Sequence, residues 1–172
     1  AALVLADAGV GVTVVTRAAE PEDTNTYWAQ GGIIYKGEDD SPALLAEDIL
    51  RAGDGHSNPR AVHIVAENGP DALRRILLER VDVPFDRSAD GDLSLALEGG
   101  HTLPRIIHAA DATGKAIELA LLNAVRGHAN ITPLTQHTAV DLLTPSHHAR
   151  NRLAVYDDRS CIGAYVYDQR SG

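Results

Sequence analysis

The first sixteen residues place a helix-forming segment directly before a β-branched segment, and this order constrains the fold more than any other feature. Residues 1–9 (AALVLADAG) have helix-forming composition and end in Gly9, which is typical of a helix C-cap. Residues 10–16 (VGVTVVT) are typical of a short buried strand. A helix followed at once by such a strand predicts the second half of a βαβ unit. We therefore expect an α/β fold, with a first strand and its glycine turn preceding residue 1.

The composition is that of an ordinary folded domain with an acidic surface. Of the 172 residues, 44% are hydrophobic and 23% are charged, so we expect a packed core. The formal net charge of −9 disfavours nucleic acid and anionic membranes as partners. No apolar run reaches the roughly 18 residues that cross a bilayer, and the single Cys161 cannot form an internal disulfide. A small acidic ligand stays compatible with this charge, because a few local cations can hold it.

Further helices and strands are predicted downstream of residue 40. Ser41-Pro42 and Asn58-Pro59 each combine a capping side chain with a proline suited to the first helical position. Asp90-Gly91 predicts a tight turn within a polar hairpin. Helices are expected to begin at Ser41 and Asn58 and to span residues 70–80 and 112–127, and strands are expected over residues 131–144 and 153–168.

Residues 25–32 (NTYWAQGG) are the first candidate for a binding function. The paired glycines let main-chain N–H groups approach a ligand that a side chain would obstruct. The preceding Asn25 and Thr26 supply short hydrogen-bonding groups suited to a diphosphate or a polar ring edge. From the residues alone, an ordinary turn beside a buried aromatic side chain is an equally good interpretation.

Residues 98–114 (EGGHTLPRIIHAADATG) are the second candidate, because they combine a carboxylate, two imidazoles and a guanidinium. Glu98 is expected to be partly buried, and a buried carboxylate demands a partner. His108 lies in an apolar stretch, where a core histidine is commoner than a ligand. Thr113 and Gly114 lead into the predicted helix and also suit an ordinary cap.

Arg17 is the third candidate, because it follows the first predicted strand. Ligands of open α/β sheets bind outside the carboxyl ends of strands. The Asp or Glu that usually holds a ribose is absent at this strand end, so Arg17 either covers a nucleotide or is simply solvated. The chain has no Walker loop, no GxSxG and no complete GxGxxG, and no metal site is predicted, since His147-His148 lacks a second ligand pair.

The two glycine-containing motifs, TNTYWAQGGI and EGGHTLPRIIHAADATG, resemble the flavoprotein family that contains succinate dehydrogenase, fumarate reductase and L-aspartate oxidase. The resemblance covers essentially the whole chain. It implies a Rossmann-like FAD-binding domain of the glutathione-reductase/fumarate-reductase type with helical insertions. Residues 1–172 would then be part of that domain, without its first strand, its glycine loop, and the capping and C-terminal helical domains.

Within this family, the EGGH and HAADATG stretches resemble L-aspartate oxidases most closely. The family's dehydrogenases attach FAD covalently through a histidine five residues before the AQGG glutamine. This chain has Asn25 at that position, which implies that FAD is held noncovalently. The resemblance implies FAD contacts from Arg17, Asn25, Thr26, Tyr27, Trp28, Ala29, Gln30, Gly31 and Gly32.

The resemblance also implies a substrate and a reaction. Glu98 would orient the amino group of L-aspartate, and His101 and Arg105 would lie near the substrate or the flavin. L-Aspartate would be oxidised to iminoaspartate, with oxygen or fumarate as the acceptor. This is the first step of quinolinate and NAD biosynthesis, which implies quinolinate synthase as a pathway partner and a cytoplasmic location.

Some expectations depend on sequence outside this chain, and two alternatives stay open. The arginines and the base that the reaction needs are expected beyond Gly172, so the 172 residues alone should form no peroxide from L-aspartate. One alternative is a soluble fumarate reductase or succinate dehydrogenase flavoprotein. The other is a non-catalytic α/β binding domain whose glycines serve only as turns.

Overall fold

The computed structural model describes residues 1–156, 158 and 160–172, which form two compact units. The first unit contains residues 1–24 and 124–172, and the second contains residues 25–123. In chain order the helices and strands are α1 (Ala2–Asp7), β1 (Val12–Val15), β2 (Ile33–Ile34), α2 (Pro42–Ala52), α3 (Pro59–Leu73), β3 (Ile106–Ile107), α4 (Thr113–Arg126), β4 (Ile131–Leu134), β5 (His137–Leu143), α5 (Pro145–His148) and β6 (Gly163–Asp168). A π-helical segment (Arg74–Arg80) follows α3, and a 3-10 helix (Arg152–Tyr156) follows α5.

The first unit contains the α/β arrangement predicted from the first sixteen residues. Helix α1 ends before Gly9, whose φ of +83° is the left-handed conformation expected after a helix C-terminus. Strand β1 pairs in parallel with β4, with Val12 opposite Ile131 and Val15 opposite Leu134. Strands β5 and β6 form a separate antiparallel pair. Parallel pairing across such a long sequence separation is typical of an α/β fold, so the fold-class prediction is confirmed.

The capping signals correctly located the starts of both predicted helices in the second unit. The Ser41 side chain accepts a hydrogen bond from Leu44 N at 3.2 Å, and the Asn58 side chain accepts one from Ala61 N at 3.3 Å. Helices α2 and α3 pack through a cluster of buried side chains from both: Leu45, Ala46, Val62 and Ala66. The predicted turn at Asp90-Gly91 is also confirmed, since Gly91 has a φ of +90°.

Three element predictions were wrong. The strand predicted over residues 131–144 is divided into β4 and β5, which pair with different strands. No new helix begins at Pro70, because α3 runs through it into the π-helical segment. The preceding Gly69 has no Cβ to clash with the proline ring, which permits helical backbone before a proline. The strand predicted over residues 153–168 is confined to β6, and its residues 157 and 159 lie outside the described part. Asn151 favours the 3-10 helix instead, because its side chain accepts a hydrogen bond from Leu153 N at 3.0 Å.

The core of the second unit lies beneath a short antiparallel ribbon. Strands β2 and β3 pair with Ile33 opposite Ile107, and Ala96 forms a further bridge to Ile106. Ile107 is fully buried against a cluster from the end of α3, the π-helical segment and the chain after it: Leu73, Leu77, Val83 and Phe85. This ribbon brings the chain at Gly32 beside the chain near Glu98.

A buried ion cluster fixes the segment that leads into β3. The Arg105 side chain is 0% exposed and binds both oxygens of Asp40, at 2.8 and 2.9 Å. Its Nη1 also donates to Asp48 Oδ2 at 2.5 Å. The same Asp48 oxygen accepts hydrogen bonds from Thr102 N at 2.9 Å and Thr102 Oγ1 at 3.0 Å. The cluster therefore joins the loop before α2, helix α2 and residues 102–105.

The charges of this cluster are set by its hydrogen bonds. Burial by itself raises the pKa of the Asp48 carboxyl, but hydrogen bonds from Thr102, Arg105 and Arg51 outweigh it and hold that pKa well below its ordinary value. Burial lowers the pKa of Arg105, and its hydrogen bonds to Asp40 and Asp48 raise it above its ordinary value. The stabilisation from Asp48 is therefore fully present above the pKa of about 4 in the unfolded chain and is lost as the pH falls below it.

We expect Asp48→Ala to lower the free energy of unfolding by about 3–5 kcal/mol, because it removes one carboxylate from a fully buried guanidinium. Arg51→Ala is the matched control: Arg51 also binds Asp48, but its side chain is 58% exposed, so its loss should cost less than about 1 kcal/mol. Urea denaturation of the protein that carries this chain measures both values. Equal losses in the two variants would contradict the importance given to the buried pair.

Candidate functional site

The loop of residues 25–32 is an exposed turn with free main-chain donors. Trp28 N donates to Asn25 O at 3.3 Å and Ala29 N to Thr26 O at 3.1 Å, which closes the turn. Within the described part of the chain, the N–H groups of Gln30 and Gly31 donate no hydrogen bond. Exposed N–H groups beside paired glycines suit an anionic or polar ligand that approaches the main chain.

Gly114 connects the two candidate motifs. Its N–H donates to Ala29 O at 2.9 Å, so the first turn of α4 holds the end of the loop. A Cβ at Gly114 would overlap Thr26 O and lie 2.8 Å from the Cβ of Ala29. Only glycine permits this approach, so Gly114 does more here than cap a helix.

Glu98 lies beside the same loop from the other direction. A Cβ at Gly32 would lie 3.5 Å from Glu98 Oε1, 2.7 Å from Ile107 O, and would overlap the Ile106 side chain. Gly32 therefore lets the loop pack on the β3 ribbon with the Glu98 carboxylate at its edge. The expectation that Glu98 is partly buried was wrong, because the residue is exposed in this chain and follows Leu97, which is 60% exposed.

His101 and Arg105 lie on the inner side of the segment that begins at Glu98. His101 N donates to Glu98 O at 3.2 Å, which closes a turn in which Gly100 has a φ of +87°. The partly buried His101 ring has its Nδ1 3.1 Å from Arg105 Nη1. The structure thus places Arg105 behind His101, where its guanidinium forms ion pairs with Asp40 and Asp48.

The loop itself carries two aromatic side chains. The Tyr27 and Trp28 rings meet edge to face, with centroids 5.3 Å apart. Lys115 Nζ lies 5.3 Å from the Tyr27 ring centroid, within cation–π range. Trp28 is 73% exposed, which gives the loop an apolar surface beside its free N–H groups. A planar ring system could be held on such a surface.

Arg17 belongs to the first unit, at the carboxyl end of β1. Its side chain is exposed, and the main chain beside it is fixed by Thr16 N, which donates to Leu134 O at 2.9 Å. The carboxyl ends of the parallel strands β1 and β4 meet at this edge. An exposed guanidinium at such an edge can bind a phosphate or cover a nucleotide.

Three partners of the site residues were missed from sequence. The sequence alone did not identify Asp40 and Asp48 as the partners of Arg105, although both hold its guanidinium. Asp86 was not singled out either, but it lies 3.0 Å from His108 Nδ1 and accepts a hydrogen bond from Ala110 N at 2.8 Å. The only local signal was the polar residue Asp48 on the apolar face of a predicted helix.

Two clefts are formed by described residues, and neither belongs to the loop of residues 25–32. One cleft of about 350 Å³ is lined by residues from the segments 35–45 and 66–74, and another of about 610 Å³ is lined by residues 144–147, Val155, Asp158, Ser160 and Cys161. Neither is lined by residues 25–32. Within residues 1–156, 158 and 160–172, no three His, Cys, Asp or Glu side chains could share a metal ion. None of the helices described in the chain has the length and apolarity to cross a membrane. The loop therefore offers an open face rather than a closed pocket.

Comparison with known sequences identifies a matching family model and several named relatives. The family model of the FAD binding domain matches residues 1–172. L-aspartate oxidase 1 of Ralstonia nicotianae is 40% identical over 164 residues, covering 94% of this chain and 29% of that protein. L-aspartate oxidase of Streptomyces coelicolor is 42% identical over 146 residues, covering 84% of this chain and 24% of that protein. The chain thus spans about a quarter of the length of these relatives.

Solved structures share the fold. Mycobacterium smegmatis Sdh1 in complex with UQ1 has a TM-score of 0.78 at 26% identity, covering 96% of this chain and 28% of that chain. A flavocytochrome c3 fumarate reductase in its open conformation has a TM-score of 0.78 at 22% identity, covering 99% and 28%, and its similarity shows the fold alone. The chain therefore belongs to the FAD binding domain family, in the group of flavoproteins that contains L-aspartate oxidase, succinate dehydrogenase and fumarate reductase.

Proposed function

We propose that the protein carrying this chain oxidises L-aspartate to iminoaspartate with bound FAD. The observation that carries the proposal is the Glu98 carboxylate beside Gly32, at the edge of a loop with free main-chain donors. Identities of 40–42% to named L-aspartate oxidases support this choice over a dehydrogenase of the same family. The chain would supply part of the site, and the cations for the two substrate carboxylates would come from elsewhere in the protein.

The residues present fit an FAD molecule. Free N–H groups at Gln30 and Gly31 suit the polar edge or the diphosphate of the cofactor, and the exposed Trp28 suits its planar ring. We assign the whole loop of residues 25–32 to FAD, and Arg17 to the nucleotide. When bound, FAD supplies a hydride acceptor for the Cα hydrogen of the substrate.

Glu98 would bind the ammonium group of L-aspartate. An ammonium beside a carboxylate is a charge-assisted pair, and succinate, which has no amine, cannot form it. In the balanced reaction the substrate loses one hydride and one proton to become iminoaspartate. Oxygen takes up two electrons and two protons to give hydrogen peroxide, or fumarate takes them up to give succinate.

The biological setting forms part of the proposal. Iminoaspartate is an unstable imine, so a following enzyme must use it before it is hydrolysed. We assign that step to quinolinate synthase of NAD biosynthesis. We place the reaction in the cytoplasm. The expected inactivity of residues 1–172 alone belongs to the same proposal, because the cations for the substrate carboxylates are assigned to other parts of the protein.

We predict that FAD is bound noncovalently, because the amide of Asn25 has no nucleophilic ring nitrogen to form a bond to the flavin. Denaturation with acid should release all the yellow colour into the supernatant after centrifugation. Absorbance of the pellet and supernatant at the flavin bands measures this. Flavin that stays in the protein pellet would contradict the prediction.

Gly114→Ala should weaken FAD binding by about tenfold or more, because its Cβ would displace the main chain of Thr26 and Ala29. Gly11→Ala is the control, since a Cβ at Gly11 meets nothing within 4 Å. Fluorescence titration of the apoprotein with FAD measures both affinities. Unchanged affinity for FAD in Gly114→Ala would show that the loop does not bind the cofactor.

Glu98→Gln should lower kcat/KM for L-aspartate by about 10- to 100-fold, because it removes a charged partner of the ammonium group. Reduction of fumarate should change by no more than about threefold. Glu38→Gln, an exposed carboxylate in another loop, should leave both activities unchanged. Equal loss of both activities in Glu98→Gln would show that Glu98 does not recognise the amino group.

A further inference from the structure

The tautomer of His101 is fixed by the residue behind it. A guanidinium has only donors, so the 3.1 Å contact between Arg105 Nη1 and His101 Nδ1 requires an unprotonated Nδ1 that accepts. Arg105 cannot turn away, because Asp40 and Asp48 hold its other N–H groups in a fully buried cluster. The proton of the neutral imidazole therefore resides on Nε2.

The Nε2–H group is an unused donor. In the part of the chain that the structure describes, no residue accepts a hydrogen bond from His101 Nε2. The ring is only partly buried, and its two nitrogens lie on different edges, so Nε2 is directed away from Arg105. A preset donor of this kind loses little freedom when it binds an acceptor.

The turn that carries His101 also carries Glu98. The hydrogen bond from His101 N to Glu98 O holds the two residues at the ends of one four-residue turn, and Gly100 provides the positive φ that a type II turn requires. One end therefore presents a carboxylate acceptor, and the other presents a neutral N–H donor. This pair matches the ammonium and carboxylate groups of an amino acid.

We propose that His101 Nε2–H donates a hydrogen bond to a carboxylate of the amino-acid substrate while Glu98 holds its ammonium group. This inference rests on the proposed function and deepens it. His101 becomes a substrate-binding residue, and Arg105 becomes a positioning residue that acts through the His101 tautomer. Both effects require the buried pairing of Arg105 with Asp40 and Asp48.

Two substitutions separate this role from a structural one. In His101→Asn the amide oxygen can replace Nδ1 and still accept from Arg105, but the outward donor is lost. In His101→Gln the amide nitrogen can replace Nε2 as an outward donor, but the contact with Arg105 is lost. Thermal unfolding of both variants with bound FAD provides the folding control.

We expect His101→Asn to raise KM for L-aspartate by about 10- to 100-fold with little change in kcat, and His101→Gln to keep KM within about fivefold of the wild-type value. The reverse order would mean that His101 only satisfies Arg105, and the inference would fail. Equal effects in the two variants would overturn it as well.

Binding of succinate, followed by the change in flavin absorbance, separates this inference from the proposed oxidation. Succinate has carboxylates but no amine, so His101→Asn should weaken its binding by about tenfold or more while Glu98→Gln leaves it within about twofold. This holds even if the wild-type protein does not oxidise L-aspartate, a result that would contradict the proposed function alone. Nitrogen NMR of His101 gives a second test: a proton on Nδ1 at neutral pH would overturn the inference.

Discussion

The arrangement of the second unit depends on the pairing of one buried guanidinium with two carboxylates. Arg105 has no solvent contact, so its charge is tolerated only while Asp40 and Asp48 remain in place. Those two residues come from the loop before α2 and from α2 itself. Their pairing therefore fixes residues 98–105 against a helix that is distant in sequence, and with it the carboxylate of Glu98 and the ring of His101.

Close main-chain approach is the second condition for the site. Gly32 lets the loop lie on the β3 ribbon, and Gly114 lets the first turn of α4 reach Thr26 and Ala29. Neither contact uses a side chain of the glycine itself. The groups assigned to the proposed site are Glu98, His101 and the N–H groups of Gln30 and Gly31, and the absence of two Cβ atoms allows the segments that carry them to pack closely.

The sequence predicted local features well because their causes are local. Ser41 and Asn58 cap helices by accepting hydrogen bonds from residues three positions away. Gly91 adopts the positive φ of its own turn. The partners of Arg105 lie 57 and 65 residues away in sequence, and no local sequence pattern predicts a contact across such a separation. The exposure of Glu98 was missed for the same reason, since adjacent apolar residues do not determine what covers a side chain. Residue spacing alone did not identify the family. The resemblance of the two glycine-containing motifs indicated it.

Helix α4 connects the loop of residues 25–32 to the hydrophobic core. Its residues Ile117 and Leu121 pack against the buried cluster around Ile107, and its first turn holds Ala29 through Gly114. The packing of α4 on the core therefore helps to set the position of the loop. Heating that loosens the core should therefore loosen the loop as well, so we expect the loop and the second unit to melt in one transition.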